Sequence, residues 1–153
     1  MSALGTIGKI VRSSLSRGGA RKSKKSLAPE LEKGTFDYIR EPKSDCFSVG
    51  FAKTDVMPDD MDKTAYYVAG YRMNNPAKGV LDPMTASAVW IDDLSGRGGV
   101  VFVSIDDIGL TNYDVGIIRD LLADFKKESG CRSINIMSIH NHASIDTVGL
   151  WGP

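Results

Sequence analysis

The chain has 153 residues, of which 42% are hydrophobic and 25% charged, and its formal net charge is zero. This length and composition are typical of one globular domain and exclude collagen, low-complexity disorder and a long coiled coil. No apolar run approaches the roughly 18 residues of a transmembrane helix. The balanced charge also argues against a nucleic-acid-binding protein.

The first part of the chain differs in charge from the rest. Residues 1–45 are predicted to be a basic, flexible segment and linker, and residues 1–26 carry seven Lys and Arg side chains and no acidic one. Apolar residues recur at near-helical spacing from Leu4 to Leu15, which permits a short basic amphipathic helix in weak contact with a membrane surface. The alternatives are a solvated chain terminus and an organelle transit peptide.

The cysteines bear on the cellular compartment. Cys46 and Cys131 lie far apart and form neither a disulfide framework nor a Cys-x-x-Cys metal pair. Such sparse cysteine usage favours a reducing compartment. The N-terminal residues also lack the apolar core of a secretory signal peptide. We therefore expect a cytoplasmic protein.

Residues 46–153 are predicted to form the folded part of the chain. Alternating or continuous apolar patterns predict three strands and one shorter strand in this order: residues 46–52, 65–71 (the short one), 86–91 and 100–105. The glycine-rich turn at 95–99 favours a hairpin between the two strands on either side of it. The acidic loop at 59–62 is expected to be solvated.

A helix and a further strand complete the pattern. Residues 113–128 carry one apolar stripe, Thr111 or Asn112 can cap the helix, and Gly130 can end it. Residues 133–139 alternate as a strand does. A strand, a helix and a strand in succession predict a βαβ unit with parallel strands and a right-handed crossover. The expected fold class is therefore α/β, with a mixed sheet.

The strand ends of this unit carry the chemically interesting residues. Asp106 and Asp107 follow one strand, and His140 and His142, the two histidines of the chain, follow the other. Ligands bind at this edge in open α/β sheets. Residues i and i+2 of an extended segment point to one side, so the two imidazoles can converge on a metal ion or divide metal and substrate between them. An ordinary hydrogen-bonded loop is the alternative.

Several known patterns are missing around these histidines. The sequence contains no His-Glu-x-x-His motif, and Ser144 occupies the place of the Asp that follows His-x-His in metallo-β-lactamase-like hydrolases. Ser144 also lacks a nucleophile elbow. The sequence has no P-loop and no dinucleotide fingerprint.

An ordered set of motifs from Phe47 onward resembles the N-terminal region of the neutral/alkaline non-lysosomal ceramidase family. The motifs are Val49-Gly-Phe-Ala-Lys-Thr-Asp-Val-Met-Pro58, Ala69-Gly-Tyr71, Gly79-Val-Leu-Asp-Pro-Met84, Ala86-Ser-Ala88, Val101-Phe-Val-Ser-Ile-Asp106 and Ile139-His-Asn-His-Ala-Ser-Ile-Asp-Thr-Val-Gly-Leu-Trp-Gly152. Together they span about residues 47–153. The family pattern differs at Ile139, Asn141 and Ala143.

The resemblance implies zinc-dependent hydrolysis of an amide, in this family N-acylsphingosine, a sphingolipid. It implies that His140 is a zinc ligand and that His142 lines the active site near the scissile amide of a ceramide-like lipid. From geometry alone, Asp106 is expected to orient one imidazole. No further cofactor and no nucleic-acid partner are expected, and the oligomeric state is open.

The remaining zinc ligands of the family, a His, a Glu and a Tyr, lie beyond the motifs matched here. We therefore expect residues 46–153 to be the incomplete N-terminal part of a larger catalytic domain, inactive alone, with unpaired sheet edges and exposed apolar surface. The alternative is a non-catalytic binding or degenerate α/β domain whose histidines are incidental.

Overall fold

The computed structural model describes residues 46–152. The predicted properties of residues 1–45, including the amphipathic helix, lie outside this range. Within it, the elements in chain order are β1 (Ser48–Asp55), β2 (Thr85–Asp92), β3 (Val100–Ile105), α1 (Asn112–Leu121), α2 (Ala123–Ser129) and β4 (Ser133–Ser138). This arrangement confirms the α/β class and the strands predicted near residues 46–52, 86–91, 100–105 and 133–139.

The four strands form one mixed sheet in the order β1-β2-β3-β4. β1 pairs antiparallel with β2, and β2 pairs antiparallel with β3 across the glycine-rich turn. β3 pairs parallel with β4, and both helices lie between these two strands in the chain. The parallel pair brings the carboxyl ends of β3 and β4 to the same edge of the sheet.

One face of the sheet forms the hydrophobic core. Alternate residues of β2, β3 and β4 point to this inner face, where they pack with Ile118 and Leu122 of the helical region. These core residues from the strands are Ala86, Ala88, Val101, Val103, Ile105 and Ile134. The continuous apolar run of β3 predicts coverage on both faces, but Phe102 on the opposite face is 41% exposed.

The helix predicted as one piece over 113–128 is divided at Leu122. Thr111 caps α1 in a reciprocal capping box with Asp114, as its hydroxyl side chain allows. The amide of Leu122 is shared between the carbonyls of Ile118 and Arg119, and its backbone leaves the helical conformation where the side chain enters the core. Gly130 ends α2 in the left-handed conformation, as predicted.

The turn between β2 and β3 depends on two close approaches. A Cβ atom on Gly99 would overlap the Trp90 ring, and one on Gly98 would overlap the carbonyl of Gly130. Gly98 also has a positive φ of 88°. Glycine is therefore required where this turn meets the end of α2.

The segment predicted as a short strand at 65–71 makes only two isolated bridges, from Tyr67 to Pro76 and from Val68 to Ile145. The second bridge joins it to the loop that follows β4. No helix within residues 46–152 has the length and apolar character needed to cross a bilayer.

Candidate functional site

The predicted site residues meet at the carboxyl ends of β3 and β4. The amide of Ile139 donates to the carbonyl of Ile105 (3.0 Å), and the amide of Asn141 donates to the carbonyl of Asp107 (2.8 Å). These bonds extend the parallel pairing past the last strand residues. The prediction that the aspartates and the histidines share one sheet edge is confirmed.

The two imidazoles lie side by side, although not for the predicted reason. The segment is not extended, because His140 has a φ of 63° in the left-handed region. The ring centroids of His140 and His142 are nevertheless 4.7 Å apart, with the planes at 73°. The turn at His140, rather than strand alternation, brings the rings together.

His140 is held by a backbone carbonyl. Its Nδ1 lies 2.9 Å from the carbonyl oxygen of Ile108. A carbonyl can only accept, so Nδ1 must carry the proton in this contact. The neutral imidazole then leaves its Nε2 unprotonated, which is the form that binds metal ions. The residue as a whole is exposed to solvent.

His142 sits deeper, against a segment that precedes β2. Its Nδ1 is buried and has no hydrogen-bond partner among the described residues. A Cβ atom on Gly70 would overlap the imidazole, and the ring of Tyr71 makes an edge contact with it at a centroid distance of 5.0 Å. Gly70 has a φ of 97°, so its conformation and its lack of a side chain both serve this contact.

Gly70 and Tyr71 are site residues that local sequence patterns do not identify. They lie about 70 positions before His142, and no spacing rule links the two segments. The amide of Ala69 donates to the carbonyl of Ser144 (3.0 Å), which fixes this segment beside the histidine loop. Only the Ala69-Gly-Tyr71 motif of the family resemblance singles them out.

The expected role of Asp106 is wrong. Its carboxylate accepts hydrogen bonds from the amide and the hydroxyl of Thr85 and thereby ties the end of β3 to the start of β2. The orienting partner of His140 is the Ile108 carbonyl instead. Every residue type has a backbone carbonyl, so composition and spacing cannot reveal this partner.

Asp107 has a different environment. Its side chain is fully buried, and neither carboxylate oxygen has a hydrogen-bond partner among the described residues. Burial raises the pKa of Asp107 to about 6, and the charge of Asp106 adds a little to this rise; weaker polar interactions with Ser138 and with the backbone of Asp107 itself lower the pKa without reaching hydrogen-bond geometry. A carboxyl group that titrates in this range lies directly behind the histidine loop.

Two polar residues after the histidines organise the loop. The hydroxyl of Ser144 is buried and donates to the carbonyl of Asn141 (2.6 Å). The carboxylate of Asp146 accepts from four backbone amides at 2.6–3.2 Å, those of Val148, Gly149, Trp151 and Gly152. Asp146 therefore shapes the loop.

The site offers imidazole nitrogen, a type of ligand that zinc binds. Imidazole nitrogen is a common zinc ligand, and His140 offers an unprotonated Nε2. Among residues 46–152, no group of three or more His, Cys, Asp and Glu side chains is arranged to hold a metal ion. A catalytic zinc site takes about three protein ligands. A zinc ion on His140 would thus need ligands in addition to those that the described residues bring together.

Comparison of the chain with family models, with curated proteins and with solved structures found no match. The resemblance to neutral ceramidases therefore depends on the motifs of the sequence alone.

Proposed function

We propose that this chain carries part of the active site of a zinc-dependent amide hydrolase similar to neutral ceramidases. In this proposal His140 ligates zinc through Nε2, and His142 contacts the scissile amide of a ceramide-like lipid substrate. The observation that carries the proposal is the hydrogen bond from Nδ1 of His140 to the Ile108 carbonyl. Zinc-binding histidines characteristically donate a hydrogen bond from the ring nitrogen that does not hold the metal.

The surroundings of His142 favour the second role. Its buried Nδ1 has no hydrogen-bond partner within residues 46–152. An unpaired buried N–H group is costly, so the neutral ring is better accommodated with its proton on Nε2. In that tautomer Nε2 cannot ligate a metal, but its Nε2–H can donate to the carbonyl oxygen of an amide and to the oxyanion that forms there. The two rings, 4.7 Å apart, are thus suited to different tasks.

Zinc, when bound, would polarise the amide carbonyl and lower the pKa of a coordinated water toward about 7. The chain itself would supply one ligand and one hydrogen-bond donor. Further ligands would come from outside the residue groups described here, as expected for part of a larger catalytic domain that is inactive alone. We also propose that β3, the two helices and β4 form a βαβ unit with a right-handed crossover.

A cytoplasmic location is also proposed. Cys131 is a buried free thiol. The chain has only two cysteines, and such sparse cysteine usage favours a reducing compartment. Weak contact of residues 1–26 with a membrane surface would bring such a protein close to a lipid substrate.

The second candidate is a non-catalytic α/β domain whose histidines only pack. The edge contacts that join Tyr71, His142 and His140 in a row favour it, because such aromatic contacts stabilise a loop without any ligand. The two candidates differ in what happens when the imidazole of His140 is removed without disturbing the backbone.

The variant His140→Asn makes this comparison. Asn tolerates the left-handed conformation of position 140 and lacks the Nε2 atom. We expect the full-length protein, which would supply the further ligands, to bind one zinc ion saturably in competition with a chromophoric chelator, and His140→Asn to lose this binding while its thermal unfolding changes little. Equal zinc binding by the two proteins would refute the zinc role, and loss of stability without any zinc effect would favour the packing role.

Amide hydrolysis needs its own measurement. The full-length protein should release fatty acid from a short-chain N-acylsphingosine in the presence of zinc. His142→Phe, which keeps a ring against Gly70, should abolish this release and retain the zinc. A full-length protein with neither bound zinc nor amidase activity would refute the proposal.

A further inference from the structure

Large apolar side chains are exposed on the loops around the two histidines. These loops lie at the edge of the sheet where β3 and β4 end and β2 begins, since the amide of Asp106 donates to the carbonyl of Thr85 (2.9 Å). The exposed apolar residues on these loops, here called the apolar rim, are Tyr71, Met73, Val80, Leu81, Ile139 and Leu150. Single apolar residues scattered over a surface need no explanation, but a group of them around a candidate site indicates an interaction surface.

Two members of the apolar rim adjoin the histidines themselves. The ring of Tyr71 contacts the imidazole of His142 at a centroid distance of 5.0 Å, and Ile139 directly precedes His140. Tyr71 is nevertheless 82% exposed and Ile139 is 54% exposed. Both residues therefore present apolar surface to the solvent beside the imidazoles.

Backbone hydrogen bonds hold two further members together. The amide of Asn74 donates to the carbonyl of Trp151 (2.8 Å), which brings the neighbouring residues Met73 and Leu150 to the same place. The segment before β2 and the loop after β4 are thus joined at their tips. Leu81, in the loop that leads into β2, is 96% exposed and makes the rim more prominent.

We propose that the apolar rim inserts into the surface of a lipid bilayer with zwitterionic headgroups and presents the two histidines to a lipid in that bilayer. The choice of a lipid surface rests on the proposed function, in which the substrate is a ceramide-like lipid. The hydrocarbon chains of such a molecule hold it in a membrane, with its amide at the level of the headgroups. The histidines reach that level when the apolar side chains around them enter the bilayer surface.

The charges around the rim favour a zwitterionic surface over an anionic one. Residues 70–83 and 139–152 together carry two basic and two acidic side chains. The acidic loop at 59–62 lies at the same edge of the sheet, because it follows the end of β1 and Asp55 pairs with Thr85. Anionic lipid would be repelled by this loop, whereas apolar insertion depends little on charge or salt.

The side chains of the rim suit the boundary between lipid and water. Tyrosine is common there, since its ring is apolar and its hydroxyl is polar. The two basic residues among the rim loops, Arg72 and Lys78, have long apolar stems that lie on lipid while the charged ends stay in water. Contact of the basic residues 1–26 with anionic lipid would be a separate interaction that salt weakens.

The test compares two variants of the full-length protein that each exchange two leucines for serine. Leu81→Ser with Leu150→Ser removes apolar side chains from the rim. Leu94→Ser with Leu121→Ser, the control, changes two leucines that are 45% and 51% exposed, one in the turn at the opposite edge of the sheet and one at the end of α1. The measurement is cosedimentation with phosphatidylcholine vesicles at low and high salt.

We expect the unmodified protein and the control variant to bind these vesicles equally, with little effect of salt. The rim variant should bind at least about tenfold more weakly, because it loses the burial of two large side chains, and its thermal unfolding should not change. Leu81→Ser alone, at an almost fully exposed position, should weaken binding in the same direction and serves if the double variant is unstable.

The variant His140→Asn separates this inference from the proposed function. It should lose zinc and keep its vesicle binding, whereas the rim variant should keep zinc and lose vesicle binding. Rim-dependent vesicle binding by a protein that holds no zinc would refute the zinc role and support the membrane contact.

Three results would overturn the membrane contact. The first is equal vesicle binding by the rim and control variants. The second is binding to anionic vesicles only, abolished by salt, which would assign the contact to residues 1–26. The third is a rim variant with a lowered unfolding temperature and unchanged vesicle binding, which would show that the rim packs against another part of the protein.

Discussion

Asp107 is a fully buried carboxyl group without a hydrogen-bond partner among residues 46–152. Its pKa is raised to about 6 from an ordinary 3.8, mainly by burial. The folded state therefore holds its proton more tightly than the unfolded state does. Its contribution to stability is full below about pH 4 and is lost as the pH rises to about 6, by on the order of 3 kcal/mol.

Asp107→Asn should remove this loss, because the amide stays neutral. We expect the variant to unfold at a higher urea concentration than the parent protein at about pH 8, and the difference to shrink toward about pH 4. Asp120→Asn, on the exposed side of α1, controls for the removal of one negative charge. A variant that is less stable than the parent at about pH 8 would show that the carboxylate has an essential partner.

Gly70 packs directly against the imidazole of His142. Gly70→Ala combines an unfavourable φ of 97° with an overlap against the imidazole. We expect a loss of roughly 1–3 kcal/mol in unfolding free energy and a shift of the His142 ring resonances. Gly79→Ala is the matched control, since a Cβ atom there meets nothing within 4 Å. Equal effects of the two changes would contradict the close approach.

The position of the histidine pair could be predicted from the sequence, but the residues that surround the pair could not. His140 and His142 are the two histidines of the chain and follow a clear strand, so their place at the sheet edge could be predicted. The Ile108 carbonyl and Gly70 could not, because both act through the backbone and come from distant segments. The same applies to the turn at His140, since a left-handed φ at a histidine has no local signature.

At the scale of elements, the strands were well predicted and the helix only in part. Strand limits follow from apolar alternation, and β3 spans the predicted residues 100–105. The N-cap at Thr111 and the stop at Gly130 follow from residue chemistry. The break at Leu122 does not, because it arises where a helix must fit onto the sheet and no glycine or proline marks it.

Gly116 in α1 offers a test at the same scale. It lies inside the helix, and a Cβ atom there meets nothing within 4 Å. Gly116→Ala should therefore stabilise the protein by about 0.5–1 kcal/mol, because alanine loses less backbone entropy on folding. Urea unfolding followed by circular dichroism measures the change. Destabilisation would mean that a chain segment packs closely against this side of α1.

At the scale of the whole molecule, the described residues form a sheet with one covered and one apolar uncovered face. The sequence predicted exposed apolar surface because it resembled an incomplete domain, and the uncovered face has that character. The sequence could not say which strand residues would face outward, because the continuous apolar run of β3 predicts burial on both sides. Pairing with its two neighbours decides this.

The proposed site requires that His140 presents an unprotonated Nε2 to zinc while His142 does not. Long-range proton–nitrogen NMR of the imidazole rings at about pH 8 tests it directly, first without zinc and then with zinc added. We predict a protonated Nδ1 and an unprotonated Nε2 in His140, and a zinc-induced shift centred on that Nε2 atom. A protonated Nε2 in His140 would contradict the proposed zinc site, and so would nitrogen resonances in both rings that do not shift when zinc is added.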